Sequence, residues 1–174
     1  MELLGTLKVP TDEIRKLAIY CYALDIAAYH LFVDGTHEDK SGRTKSIYGE
    51  QLSRQLLNLA IALRTKFYQG YNHIDTARYV TQCGFLDKKK QEAGVTVQFS
   101  IKDVCDKIIH SDRVMRQMEK GVEKPTTTFQ GRDGRDKSDW ELSMSVSLFT
   151  EAVLNWVQDV EGNDEGSALE SATT

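Results

Sequence analysis

Apolar residues recur at helical spacing from position 14 onward: Ile14, Leu17, Ala18, Cys21, Leu24, Ala28, Leu31 and Phe32. Thr11 precedes Asp12 and Glu13, which supplies a capping hydroxyl and two acids for a first turn. The pattern predicts a first helix of about six turns. Tyr20, Tyr22 and Tyr29 widen its apolar surface, and Asp34 to Gly42 reads as a polar loop. A second stripe, Leu52, Leu56, Leu59, Ala60, Leu63 and Phe67, follows Ser46 as a cap and ends at Gly70. Leu57 and Ile61 broaden that stripe, so this helix is expected to be central and buried on more than one side.

Beyond Gly70 the pattern weakens. Ile74, Ala77, Tyr79 and Val80 hint at a short helix stopped by Gly84, and DKKKQEAG reads as a solvated basic turn. Val95 to Phe99 is β-type but too short to classify. Ser100 and Asp103 then form a capping box, S-x-x-D, ahead of a helix that turns Ile101, Val104, Cys105 and Ile108 inward and stops near Ser111-Asp112. From Val114 the period changes to alternation. Val114 to Met118, the threonine-rich Thr126 to Gln130 and Trp140 to Val146 read as three short antiparallel strands, with GRDGRDKSD as a turn and GRDG at 131–134 as a hairpin. For the first strand, a helix continuing to Lys120 is the competing reading. Ser147 is placed to cap a last helix with Leu148, Phe149, Ala152, Val153, Trp156, Val157 and Val160 on one side.

These elements predict a mainly α fold: an antiparallel helical bundle with a small three-stranded antiparallel β-meander, about 113–146, before the last helix. One domain is expected over 1–160. With 40% hydrophobic and 28% charged residues the chain is globular in composition, and 174 residues bury a core of ordinary size.

Charge alters this picture in one place. The net charge of −4 comes from the stretch 159–174, which holds five acids and no base; without it, 22 bases face 21 acids. The stretch 161–174 is therefore expected to be a disordered acidic tail, and a neutral body neither demands nor excludes nucleic acid. The start of the chain lacks a basic n-region and a long apolar stretch, no window suggests a membrane span, and Cys21, Cys83 and Cys105 are odd in number and far apart. A cytoplasmic protein with reduced thiols is expected, with no membrane partner.

Candidate chemistry sits on the capped helix. Lys102, Asp106 and His110 lie at i, i+4 and i+8 and share one face. A lone polar face is commonly just solvated. Functionally, a histidine such as His110 is a candidate for moving protons, with Asp106 one turn away to orient the imidazole. Cys105 and His110 are about 140° apart on a helix and make poor co-ligands. His73 with Asp75 has no metal-ligand spacing, so no metal is expected. No phosphate-cradling or dinucleotide glycine pattern occurs, so no cofactor is expected. Lys88, Lys89 and Lys90 form one basic run, and Arg132, Arg135 and Lys137 a second. With Arg64 and Arg113 they are the candidates for holding an RNA backbone or an acidic partner.

The stretch SIKDVCDKIIHS, 100–111, resembles the last-but-one helix of HEPN-like proteins, a helical superfamily of nucleotide-binding and ribonuclease-type domains from toxin–antitoxin and defence systems. Their motif runs Arg, a polar residue, three residues, His. Asp106 takes the polar place and His110 the histidine, while Cys105 stands where the arginine belongs. The resemblance implies metal-independent RNA cleavage, with His110 accepting the 2′-hydroxyl proton and a cation stabilising the phosphate, and it implies a homodimer with motif helices facing each other. Cys105 cannot supply the bidentate fork of an arginine, so the expectation is a non-catalytic binding or scaffold protein of a defence or mobile-element system. Two alternatives stand beside it. One is an active ribonuclease in which Arg64 or Arg113 replaces the cation. The other is an interaction or inhibitor protein, such as a phage-encoded anti-defence factor.

Overall fold

The predicted first helix forms as α1, Thr11–Phe32, in a computed structural model that describes residues 8–35, 38–70, 84–88, 100–116, 126–134 and 137–171, with 84–88 and 163–171 as backbone alone. Pro10, extended, stands at the N-cap without a side-chain bond, so Thr11 is the first helical residue rather than the cap. The second helix, α2, Arg43–Tyr68, begins three residues ahead of Ser46. Its first amides find acceptors in the preceding loop: Ser41 Oγ takes the Arg43 N–H at 3.2 Å and Asp39 Oδ2 the Lys45 N–H at 2.9 Å. Gly42, at φ 67°, makes the left-handed step that brings them there. Gly70, at φ 105°, closes the other end as expected.

The helix α3, Ile101–Ile109, carries the anticipated capping box, with the Asp103 N–H on Ser100 Oγ and the Ser100 N–H on Asp103 Oδ2. The meander is present as β2, Arg113–Arg116, β3, Thr126–Arg132, and β4, Asp139–Ser145, which removes the competing helix through Lys120. A further strand, β1, Gly84–Lys88, pairs antiparallel with β4, giving the order β1-β4-β3-β2. Asp87 and Lys88 are thus strand residues opposite Glu141 and Trp140, not part of a solvated turn. An edge strand tolerates such charges because only one side is paired. The hint of a helix at 74–80, and Val95 to Phe99, lie outside the described residues.

The hairpin between β3 and β4 turns later than GRDG. Gly131 and Arg132 are still paired, with Trp140 and Asp139, and the turn closes where Asp133 and Ser138 share a bond at 2.9 Å. The last helix, α4, Val146–Ser171, starts one residue before Ser147; Ser145 Oγ accepts the Leu148 N–H at 3.4 Å and so does the capping. Its backbone continues through residues expected to form a tail from 161, a stretch free of proline in which Glu, Ala and Leu favour a helix and Gly162, Asn163, Asp164 and Gly166 do not.

The helix α1 packs on α2 and α4, and α3 packs on α2. One core unites Ile14, Leu56, Leu59, Leu63 and Val104 with Phe129, Leu142, Met144, Phe149 and Trp156. Every residue of α3 expected inward is buried, as is the α4 stripe apart from half-buried Leu148. Leu57 and Ile61 are not: they are 39% and 48% exposed, so α2 keeps an open apolar side. Arg15 clamps α1 to α4 through Glu161 at 2.6 Å, and this bond holds the Glu161 carboxyl below its ordinary range.

Among the described residues two charged side chains are buried, Asp25 and Lys66, and Asp25 is the more deeply so. Asp25, 3% exposed, faces the Arg116 guanidinium, whose Nη1 also donates to Thr127 Oγ1 at 3.0 Å. The second Asp25 oxygen accepts the Ser147 N–H at 3.0 Å. This carboxylate thereby ties α1 to β2 and to the start of α4.

Candidate functional site

The face expected on α3 exists. Lys102 and His110 are exposed and Asp106 is half-buried between them. His110 is the C-cap, its N–H on the Asp106 carbonyl at 3.1 Å, and Ser111 Oγ donates to the Ile108 carbonyl at 2.8 Å to finish the helix. Among the described residues no hydrogen bond reaches the imidazole, so Asp106 does not orient it.

Asp106 has another partner. Arg64, from the last two turns of α2, sets Nε on Asp106 Oδ1 at 2.9 Å. Its Nη2 donates to the Tyr68 hydroxyl at 2.7 Å, and its guanidinium carbon lies 5.0 Å from the centre of the Tyr68 ring. Tyr68 is itself 77% exposed. A planar cation paired to a carboxylate and stacked on a tyrosine is held in one orientation. The structure therefore joins three of the expected site residues, Arg64, Asp106 and His110, on one surface, with Lys102 a turn before Asp106.

Cys105 points the other way. It is fully buried, and burial followed by the Asp106 charge pushes its thiol above the ordinary range. It is a small core residue with no reactive thiolate. Cys21 is likewise a free, buried thiol, pushed up to about 12 by burial and by Asp25.

The end of α3 is pinned to the sheet. Lys107 Nζ sits 4.5 Å from the centre of the Trp140 ring, and the Asp112 N–H donates to the Gln130 carbonyl at 2.8 Å. Gly131 lies against the Trp140 ring and the His110 carbonyl. A Cβ there would collide with the Trp140 ring and approach the His110 carbonyl to 2.7 Å. Trp140 fills the core and the His110 carbonyl is backbone, so neither yields cheaply. Gly131→Ala is expected to cost about 1–3 kcal/mol of stability, read as a lower urea midpoint, because overpacking strains rigid neighbours. The sequence reading, which put Gly131 in a turn, missed this role.

The other basic candidates do not gather here. Arg132 pairs with Asp139 at 3.2 Å, and Gln130 binds Glu141 at 2.7 Å. Together with Asp112 and Arg113 they border a hollow of about 350 Å³ in which three carboxylates face two guanidinium groups. That balance does not favour phosphate. The Lys88 side chain and residues Lys89, Lys90, Arg135, His73 and Asp75 lie outside the described parts of the chain.

No group of three His, Cys, Asp or Glu side chains suited to a metal occurs among the described residues. No described helix is long and apolar enough to cross a membrane. The chain matches no protein-family model, no curated protein and no solved structure.

Proposed function

We propose that this chain is a HEPN-like, non-catalytic binding component of a microbial defence or mobile-element system, and that the surface around Arg64, Lys102 and His110 receives RNA backbone. One observation carries the reading: Arg64 lies against Asp106 on the exposed face of α3 that ends at His110. Arg64 supplies a guanidinium where the resemblance calls for a cation and Cys105 has none. Because Asp106 already compensates that charge and does not orient the imidazole, the arrangement suits binding better than proton transfer. A cytoplasmic site of action fits the two buried free thiols. A homodimer is supported by the apolar side of α2 beside this surface, where Leu57, Ile61 and Tyr68 are exposed.

The same ion pair favours a second reading, a metal-independent ribonuclease using His110 with Arg64 as the displaced cation. Labelled single-stranded RNA, titrated in EDTA at salt from about 50 to 200 mM, separates the two. The expected result is binding without cleavage. With the two cations Arg64 and Lys102 engaged, log affinity should fall against log salt with a slope of about −1.4, and Arg64→Ala or Lys102→Ala should each reduce the slope by roughly 0.7. Cleavage that disappears in His110→Ala would replace this reading by the ribonuclease. Absence of any RNA binding would leave a protein partner.

A further inference from the structure

A second cleft lies away from α3. It has a volume of about 380 Å³ and is framed by the first turns of α2, the last turn of α1 and the β2–β3 strands. That volume is in the range of small-molecule sites. Phe32, Leu52 and Val114 give it apolar walls, while Lys45, Tyr48 and Arg116 bring polar groups to it, and among the described residues no carboxylate lines it.

Three features that weaken the fold meet in this cleft. Gly49 sits inside α2 at an ordinary helical position, where glycine is the poorest helix former after proline. A Cβ added there would meet nothing within 4 Å, so no packing demand explains it. Among the described residues the buried Tyr48 hydroxyl has no hydrogen-bond partner. The Arg116 Nε is buried and also has no hydrogen-bond partner among the described residues, on a side chain 9% exposed. Native interiors satisfy nearly all buried polar groups, so two orphans beside one helix glycine need a common cause. A ligand supplies one: once the Tyr48 and Arg116 side chains, closed to solvent at these two atoms, turn towards the cleft, it would accept from both donors and occupy the space that glycine leaves open. The side chains also fix its character. The Tyr48 and Arg116 orphans donate. Arg116 is already ion-paired with Asp25, but Lys45, on the same α2 face one turn before Gly49, adds an ammonium. Burial pushes the Tyr48 hydroxyl up to about 12, so it stays a donor at neutral pH.

We propose that this cleft binds a small amphipathic anion, its carboxylate or phosphate head held by Lys45, Tyr48 and Arg116 and its apolar body between Phe32, Leu52 and Val114. This site is independent of the RNA surface, and nothing in it calls for a reaction.

Benzoate, phenyl phosphate, inorganic phosphate and benzyl alcohol are suitable probes, titrated into the full chain with the Gly49 amide followed by NMR. Benzoate or phenyl phosphate should shift that amide saturably in the millimolar range, and which of the two binds more tightly distinguishes carboxylate from phosphate. Inorganic phosphate and benzyl alcohol should each bind at least tenfold more weakly than the better acid. Gly49→Leu should raise the melting temperature and abolish probe binding, because the side chain improves the helix and fills the cleft. Lys45→Gln should keep the fold and weaken the better acid several-fold. Failure of both acids to shift Gly49, or benzyl alcohol binding as well as benzoate, overturns the proposal. So does undiminished binding in Gly49→Leu.

Discussion

Asp25→Ala is expected to lower stability by about 3–5 kcal/mol, the cost of breaking a buried ion pair from one side. The reason is what remains behind. Arg116 would keep a guanidinium that is 9% exposed with its counter-charge gone, and the Ser147 N–H at the start of α4 would lose its acceptor. Neither group can reach water without moving β2 or α4. Urea denaturation measures the loss as a lower midpoint with an unchanged slope. The double variant Asp25→Leu/Arg116→Met separates the pair's own contribution from the penalty of orphaning one partner. Apolar replacement of both is near neutral elsewhere, so most of the loss should be recovered. A double variant as weak as Asp25→Ala would show that the Ser147 contact, not the ion pair, carries the effect.

How far the sequence announces this architecture depends on the range of the interaction concerned. The α3 box is legible because Ser100 and Asp103 are three residues apart and bond to each other through both backbone and side chain. The start of α2 is not, because Asp39 and Ser41 cap it across Gly42, and a helix preceded by its caps at a distance looks in sequence like a loop. Periodicity finds Leu56 and Leu63 but equally promotes Leu57 and Ile61, since it reports which residues are apolar and not whether a neighbouring element covers them. Asp25 could have been found. Ile14, Ala18, Cys21, Asp25 and Ala28 follow the 4-3-4-3 spacing of a buried helix edge, and a carboxylate on that line demands a partner. Its partner Arg116 is 91 residues away and gives no local signal. The meeting of Arg64 with Asp106 is illegible for the same reason, although both residues are visible as candidates singly.

The second large effect concerns the residue that departs from the resembled motif. Cys105→Arg, which would restore that motif on paper, is expected to unfold the protein, with a loss beyond roughly 5 kcal/mol, because a long charged chain would enter a site built for a thiol. Cys105 is fully buried between Val104 and Ile108, and nearby Arg64 would repel the new guanidinium. Burial already disfavours even a thiolate there, although Arg64 opposes the shift. Cys105→Ala, which removes only a sulfur, should cost about 1–2 kcal/mol and keep RNA binding, since the cavity is small. Circular dichroism and size exclusion read the fold of both variants, and the RNA assay in EDTA reads their activity. A Cys105→Arg protein that melts like the parent and cleaves RNA would mean that α3 turns this position outward, and the pairing of Arg64 with Asp106 would then fall with it.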